Sequence, residues 1–179
     1  MMGFAVSKLS WFWTSAGYDT PDPATGLTPR QKDIVRNTWK SIRADTRNNG
    51  IKLFLKFFEA YPEYQLLFKS FANVPLSDLP RNGRLLGHVT SVMYALNSVV
   101  DNLEDPECLI EILQKTGISH RPRNVNRQHF NNLKVVLIKL LVEILGSNVM
   151  NESAVEAWEK TLDVANSIII KSLEAEGDA

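Results

Sequence analysis
Three histidines supply the clearest chemistry in this sequence, and two of them are placed as a pair. His88 and His120 lie symmetrically about residue 104, inside the run Asn102-Leu103-Glu104-Asp105-Pro106. Pro106 has no amide hydrogen and a fixed φ, so it suits the first turn of a new helix rather than the interior of an old one. If the flanking segments are helices that fold back on each other, the two imidazoles sit at comparable depth and face one another. Facing imidazoles with apolar neighbours are what a flat iron cofactor needs above and below its plane. Haem iron is commonly held by one neutral histidine, with the opposite pocket wall controlling what else binds.

His120 lies in Thr116-Gly117-Ile118-Ser119-His120-Arg121-Pro122-Arg123-Asn124-Val125. Gly117 gives the backbone room near a helix end, and Pro122 stops the helix just past the histidine. On a last turn the ring can project with its second nitrogen free for a supporting bond. The Ser119 hydroxyl or a nearby carbonyl can then hold the neutral tautomer that a metal requires. His88 is expected mid-helix, with Val92 one turn further on the same side. Phe54 and Phe68 come from separate segments and are large enough to pack against a planar ligand. Each of these residues taken alone is more often an ordinary core or surface residue. Their combination and order carry the argument.

The elements that must position them read as helices throughout. Thr28-Pro29-Arg30-Gln31 is a capping box with proline at the first helical position, and Ile34, Val35, Thr38, Trp39 and Ile42 follow on one face. Gly50 to Tyr61 is rich in large apolar residues, Tyr61-Pro62 breaks it, and Glu63 to Phe68 reads as a short helix. Asn73 to Pro80 is loop. A long helix is expected from about Arg81 to Leu103, a shorter one from Pro106 to His120, and a buried one over Phe130 to Leu145. Ser153-Ala154-Val155-Glu156 reads as a second capping box ahead of Trp158, Leu162, Ala165, Ile169 and Leu173. No strand-like alternation or internal repeat interrupts this pattern. The fold class is all-α.

Bulk composition narrows the alternatives. A chain of 179 residues is most simply one domain plus an extension, with a substantial core. Residues 1–26 form an N-terminal extension and linker, 27–176 the main domain and 177–179 a short tail. Twenty basic and twenty acidic residues cancel without gathering into blocks, so a nucleic-acid partner is not expected. Cys108 is the only cysteine, which rules out an intrachain disulfide and points to a reducing, cytoplasmic setting. No apolar run reaches the roughly 18 residues of a membrane span. The N-terminus lacks the basic flank and apolar core of a secretory signal.

The ordered set Asn37-Thr38-Trp39, Tyr61-Pro62-Glu63, Phe68-Lys69-Ser70-Phe71, Gly87-His88-Val89-Thr90-Ser91-Val92-Met93 and Ser119-His120 resembles the animal globins over about residues 27 to 176. The resemblance implies a globin fold of seven to eight helices around a haem pocket, with haem b (iron protoporphyrin IX) as cofactor. It implies His120 as the proximal iron ligand and His88 as the distal histidine. Phe68 and Val125 would wedge the porphyrin, while Phe54 and Val92 would set the free volume above the iron. The implied function is reversible binding of oxygen or another diatomic gas.

Within the family, the long span from His88 to His120, Phe54, and Asn97 to Pro106 are similar to neuroglobin and cytoglobin. In those relatives the distal histidine can itself bind the iron when no gas is present. That implies bis-histidyl, hexacoordinate iron here. Other readings remain open: a redox- or gas-sensing globin, or a nitric oxide dioxygenase or nitrite reductase supplied by an external reductase. Several positions depart from the pattern. Ser91 stands where a basic residue usually meets a haem propionate, so Arg121 or Arg123 is expected to supply that charge. Thr116 is more polar than the usual leucine, and a two-cysteine switch cannot form within this chain. His129 is expected to pack or hydrogen-bond in the next helix rather than touch iron.

Met2-Gly3-Phe4-Ala5-Val6-Ser7 has the form of a myristoylation signal, which also resembles globin X. It requires translation from Met2, because the glycine must become terminal. One acyl chain anchors only marginally. Trp11, Phe12 and Trp13 would either add interfacial contact or pack on the globin surface, so membrane attachment is the minor reading.

Overall fold
The computed structural model describes residues 17–175. The acylation motif, the Trp11–Trp13 cluster and the 177–179 tail lie outside them. Six α-helices are defined among the described residues: α1 (Pro29–Arg43), α2 (Thr46–Ala60), α3 (Gly83–Asp101), α4 (Pro106–His120), α5 (Arg127–Leu145) and α6 (Glu152–Glu174). The 3-10 helix Pro62–Leu67 makes a seventh element, and single 3-10 turns occur at Leu79–Arg81 and Arg121–Arg123. Among the described residues there is no strand. Nor is any helix there long and apolar enough to cross a membrane.

Local chemistry sets most helix ends. Thr28 caps α1 through the expected reciprocal box with Gln31, and Asp105 caps α4 ahead of Pro106, accepting from the Cys108 amide. At the start of α6 the expectation needs correction. Asn151, not Ser153, is the cap, accepting from the Ala154 amide. Asparagine and serine are comparable cap residues, so the motif alone cannot choose between them. The second helix begins at Thr46, four residues before the apolar run, because Asp45 caps it.

Helix α6 is the spine. It packs on α4, α1 and α5, while α2 crosses α3 and α5. Trp39 of α1 meets Trp158 of α6 with ring centroids 5.4 Å apart. Both indoles are buried and both N–H groups are satisfied, Trp39 donating to Asn97 at 2.7 Å and Trp158 to Thr38 at 2.9 Å. That pairing matters because a buried N–H without an acceptor costs about 1–3 kcal/mol.

Two glycines fix how closely the histidine-bearing helices approach their neighbours. A Cβ on Gly50 of α2 would lie 2.5 Å from Val89 Cγ1 and 2.7 Å from Met93 Cγ of α3. On Gly117 of α4 it would lie 2.3 Å from the Ile169 carbonyl oxygen of α6. Gly117 therefore provides room between helices rather than at a helix end.

The 19–26 stretch, linker-like by composition, is a turn tied to the domain. Asp22 Oδ1 accepts from the Ala24 and Thr25 amides at 2.8 and 3.0 Å. Its second oxygen takes a 3.0 Å bond from Lys32 Nζ. Lys32 is only 3% exposed and also donates to Glu104 at 3.1 Å. A buried ammonium is tolerated because it is paired on both sides. One end of that pairing is the corner joining α3 to α4.

Candidate functional site
The α3–α4 hairpin places His88 one and a half turns into α3 and His120 on the last residue of α4. Both line one cavity of about 520 Å³, together with Phe54, Phe68, Val92 and Val125. All six residues singled out in the sequence thus share one wall system. An adjoining cavity of about 400 Å³ shares His88, Val92 and His120 and reaches inward to Leu53, Leu96 and Leu113. Each volume lies in the roughly 300–1,000 Å³ range of cofactor and small-molecule sites.

His120 is held by its own helix. Its Nδ1 lies 2.8 Å from the Thr116 carbonyl oxygen. A carbonyl can only accept, so Nδ1 carries the proton and Nε2 is left with a lone pair. Ser119 Oγ donates to the same carbonyl at 2.8 Å and lies 3.3 Å from Nδ1. The Thr116 hydroxyl, an anomaly in the sequence, donates to the Ile112 carbonyl at 2.9 Å and so is satisfied within the helix. The Phe130 ring stands edge-on to His120 at 5.4 Å.

His88 is held by packing instead. Its ring meets Phe54 at 5.0 Å and Phe68 at 4.9 Å, both edge to face. Phe68 is itself stacked on Phe71 at 5.0 Å. Gln65 fixes that corner, its side-chain amide donating to the Phe71, Ala72 and Val74 carbonyls at 3.0, 3.2 and 2.8 Å. No hydrogen bond to a described residue engages either nitrogen of His88.

Burial pushes the His88 pKa down to about 4, helped by His120 and Arg123. Burial also lowers that of His120, partly offset by the Thr116 carbonyl. Both rings are therefore neutral near pH 7, the form that ligates a metal.

These residues fit a haem. Among the described residues no cluster of three or more His, Cys, Asp or Glu side chains forms a metal-binding set. Two neutral imidazoles on one apolar cavity suit an iron whose remaining donors come from a macrocycle. A histidine whose second nitrogen bonds a carbonyl is the usual supporting arrangement for a metal ligand.

The cavity lining separates Arg121 from Arg123 and adds residues. Arg121 Nε donates to the Ser172 carbonyl at 2.9 Å, whereas Arg123 lines the cavity with Lys69. Arg123 and Lys69 are thus the arginine and lysine on this cavity's wall. Ser91 Oγ is turned to the Gly87 carbonyl at 3.1 Å. His129 receives the Asn126 amide at 3.1 Å as part of a helix cap and packs on Tyr64, yet its ring also lines the cavity. Phe130, Leu133 and Lys69 were missed by sequence reasoning. Phe130 and Leu133 lie three residues apart at the head of α5, a spacing that marks one face without saying what the face meets.

Known proteins with similar sequences and folds agree with this architecture. A family profile described as Globin matches residues 51–169. A globin of Nerita albicilla is 30% identical over 148 residues, covering 83% of this chain and 94% of that protein. Cytoglobin-1 of Danio rerio is 28% identical over 140 residues, covering 77% and 80%. A structure described as the hexa-coordinate hemoglobin of Drosophila melanogaster superimposes with a TM-score of 0.76 at 27% identity, covering 86% of this chain and 99% of the other.

Proposed function
The chain belongs to the globin family and binds haem, and we propose that it reversibly binds oxygen or another diatomic gas at haem b, with His88 and His120 both ligating the iron when no gas is present. The observation that carries this reading is the His120 Nδ1 bond to the Thr116 carbonyl, which leaves Nε2 as a lone-pair donor in a cavity that His88 also lines. The haem, when bound, supplies the iron at which a gas coordinates.

Each side chain has a defined part. His120 would hold the iron, its ring fixed by the Thr116 carbonyl and by Phe130. His88 would ligate the iron when no gas is present and would otherwise donate a hydrogen bond to a bound gas. Phe68 and Val125 would bracket the macrocycle, Phe54 and Val92 would limit the space beside His88, and Arg123 and Lys69 would meet the macrocycle's carboxylates. Apolar side chains such as Phe54, Phe68, Val92 and Leu133 would limit access of water to the bound gas.

An internal ligand competes with the external one. If the open form is about 1% populated, apparent gas affinity falls about 100-fold. His88→Leu is therefore expected to give five-coordinate ferrous protein and faster carbon monoxide association on rapid mixing of the deoxygenated protein with the gas. Association that is equally fast in the unaltered protein would show that His88 does not occupy the iron.

A further inference from the structure
We propose that Asp22, Lys32 and Glu104 form a latch that holds the α3–α4 corner to α1 and thereby sets how readily His88 leaves the iron. The proposal rests on the haem reading above and concerns the closed end of the hairpin rather than the cavity. Lys32, Arg36, Trp39 and Arg43 recur at helical spacing along one face of α1. Their polar groups all reach the end of α3 or the corner beyond it. Trp39 Nε1 and Arg43 Nε donate to Asn97 Oδ1 at 2.7 and 3.1 Å. Arg43 also donates to Asp101 at 2.8 Å, Arg36 pairs with Glu104, and Lys32 Nζ donates to Glu104 at 3.1 Å.

The pairs made by Arg36 and Arg43 are open to solvent, and such pairs contribute little singly. Lys32 differs, because its side chain is only 4% exposed. Removing one partner of a buried pair leaves a charge uncompensated, which is far more disruptive than breaking a surface pair. The second partner of Lys32, Asp22 at 3.0 Å, comes from the turn ahead of α1. The turn, α1 and the corner therefore meet on one ammonium. Lys32 and the Thr25 amide hold the pKa of the Asp22 carboxyl down at about 2, so that end stays charged at neutral pH. The latch opens when the turn is displaced, not when it is titrated.

Leverage carries the effect to the iron site. His88 and His120 each lie sixteen residues from Glu104, roughly 24 Å along a helix at about 1.5 Å per residue. Over an arm of roughly 24 Å, a rotation of about 2.5° at the corner moves a ring by about 1 Å. Functional groups must be held within about 0.5 Å of their working geometry, so small freedom at the corner is felt at the rings. Helix α4 is packed along α6, with Gly117 close against the Ile169 carbonyl. Freedom at the corner is therefore taken up by α3, which carries His88. Asp22, Lys32 and Glu104 are positioning residues, acting through the hairpin on a ligand they do not touch.

The test uses the full-length, haem-loaded, deoxygenated ferrous protein mixed rapidly with carbon monoxide. Where His88 must leave before the gas binds, the observed rate levels off at high gas concentration, and the plateau is the rate of His88 departure. Asp22→Asn keeps a side-chain oxygen for the Ala24 and Thr25 amides but removes the charge facing Lys32. Glu104→Gln acts at the other end and leaves the Lys32–Asp22 pair in place. Each should raise the plateau several-fold and enlarge the high-spin fraction of the visible spectrum. Arg127→Gln, which breaks the exposed pair with Glu174, should change neither. A plateau unchanged or lowered in either carboxylate variant, even with a reduced Tm, would overturn the latch and leave the triad a purely structural contact. So would an equal rise in Arg127→Gln. Unaltered protein whose rate climbs with gas concentration and never levels off would overturn the bis-histidyl reading and the latch with it, and that result precedes any variant.

Discussion

Replacing His120 with alanine is expected to strip the protein of most of its haem while leaving its helices intact. The ring is half-buried at the end of α4, so truncating it opens no cavity in the core. Losing even an outer partner of a metal-bound histidine costs about 10–100-fold in metal affinity, and loss of the ligand itself is expected to exceed about 100-fold. His88 remains on the far side but lacks a carbonyl to orient it, so any pigment it retains should be held weakly. Haem transfer to an acceptor apoprotein measures the effect, and far-ultraviolet circular dichroism checks that the helices persist. A His120→Ala protein that keeps its colour and gives up haem at the original rate would place the iron ligand elsewhere.

Gly117→Ala sets two effects of opposite sign against each other. Alanine gains about 1 kcal/mol over glycine from helix propensity alone. Against that, the new methyl would lie 2.3 Å from the Ile169 carbonyl oxygen, 2.8 Å from Ser172 Cβ and 3.1 Å from the Leu173 amide nitrogen. Two of those atoms are backbone and cannot rotate away. Overpacking typically costs about 1–3 kcal/mol even where side chains can shift. Contact with fixed backbone belongs at or beyond the upper end, so the clash wins. A net loss of about 2 kcal/mol corresponds to a fall in Tm of roughly 4–8 °C for a chain of this size. Because α4 must move away from α6, His120 moves with it, and haem release should quicken as well. Thermal unfolding of the haem-free and haem-loaded protein reads both effects, and an unchanged or raised Tm would show that the α4–α6 contact is looser than described.

What was legible in the sequence follows from how local each signal is. Pro106 and the Thr28–Gln31 box fix helix starts through bonds within one turn, and the observed helices begin where those residues put them. His88, His120, Phe54 and Phe68 were found because residue type, spacing and order converge on one cavity. Choices between equivalent neighbours were not legible. Asn151 against Ser153, and Arg121 against Arg123, differ only in what the folded chain offers each side chain. Nor could composition show that the turn around Asp22 is pinned by Lys32, because the third member, Glu104, is 72 residues from Lys32. Gly117 stood out as a glycine beside the histidine, but its reason is the backbone of a helix some fifty positions later.

The absorption spectrum of the deoxygenated ferrous protein tests the central claim most directly. Sharp, low-spin visible bands are predicted, arising from iron held by His88 and His120 together. A purely high-spin, five-coordinate spectrum would contradict it.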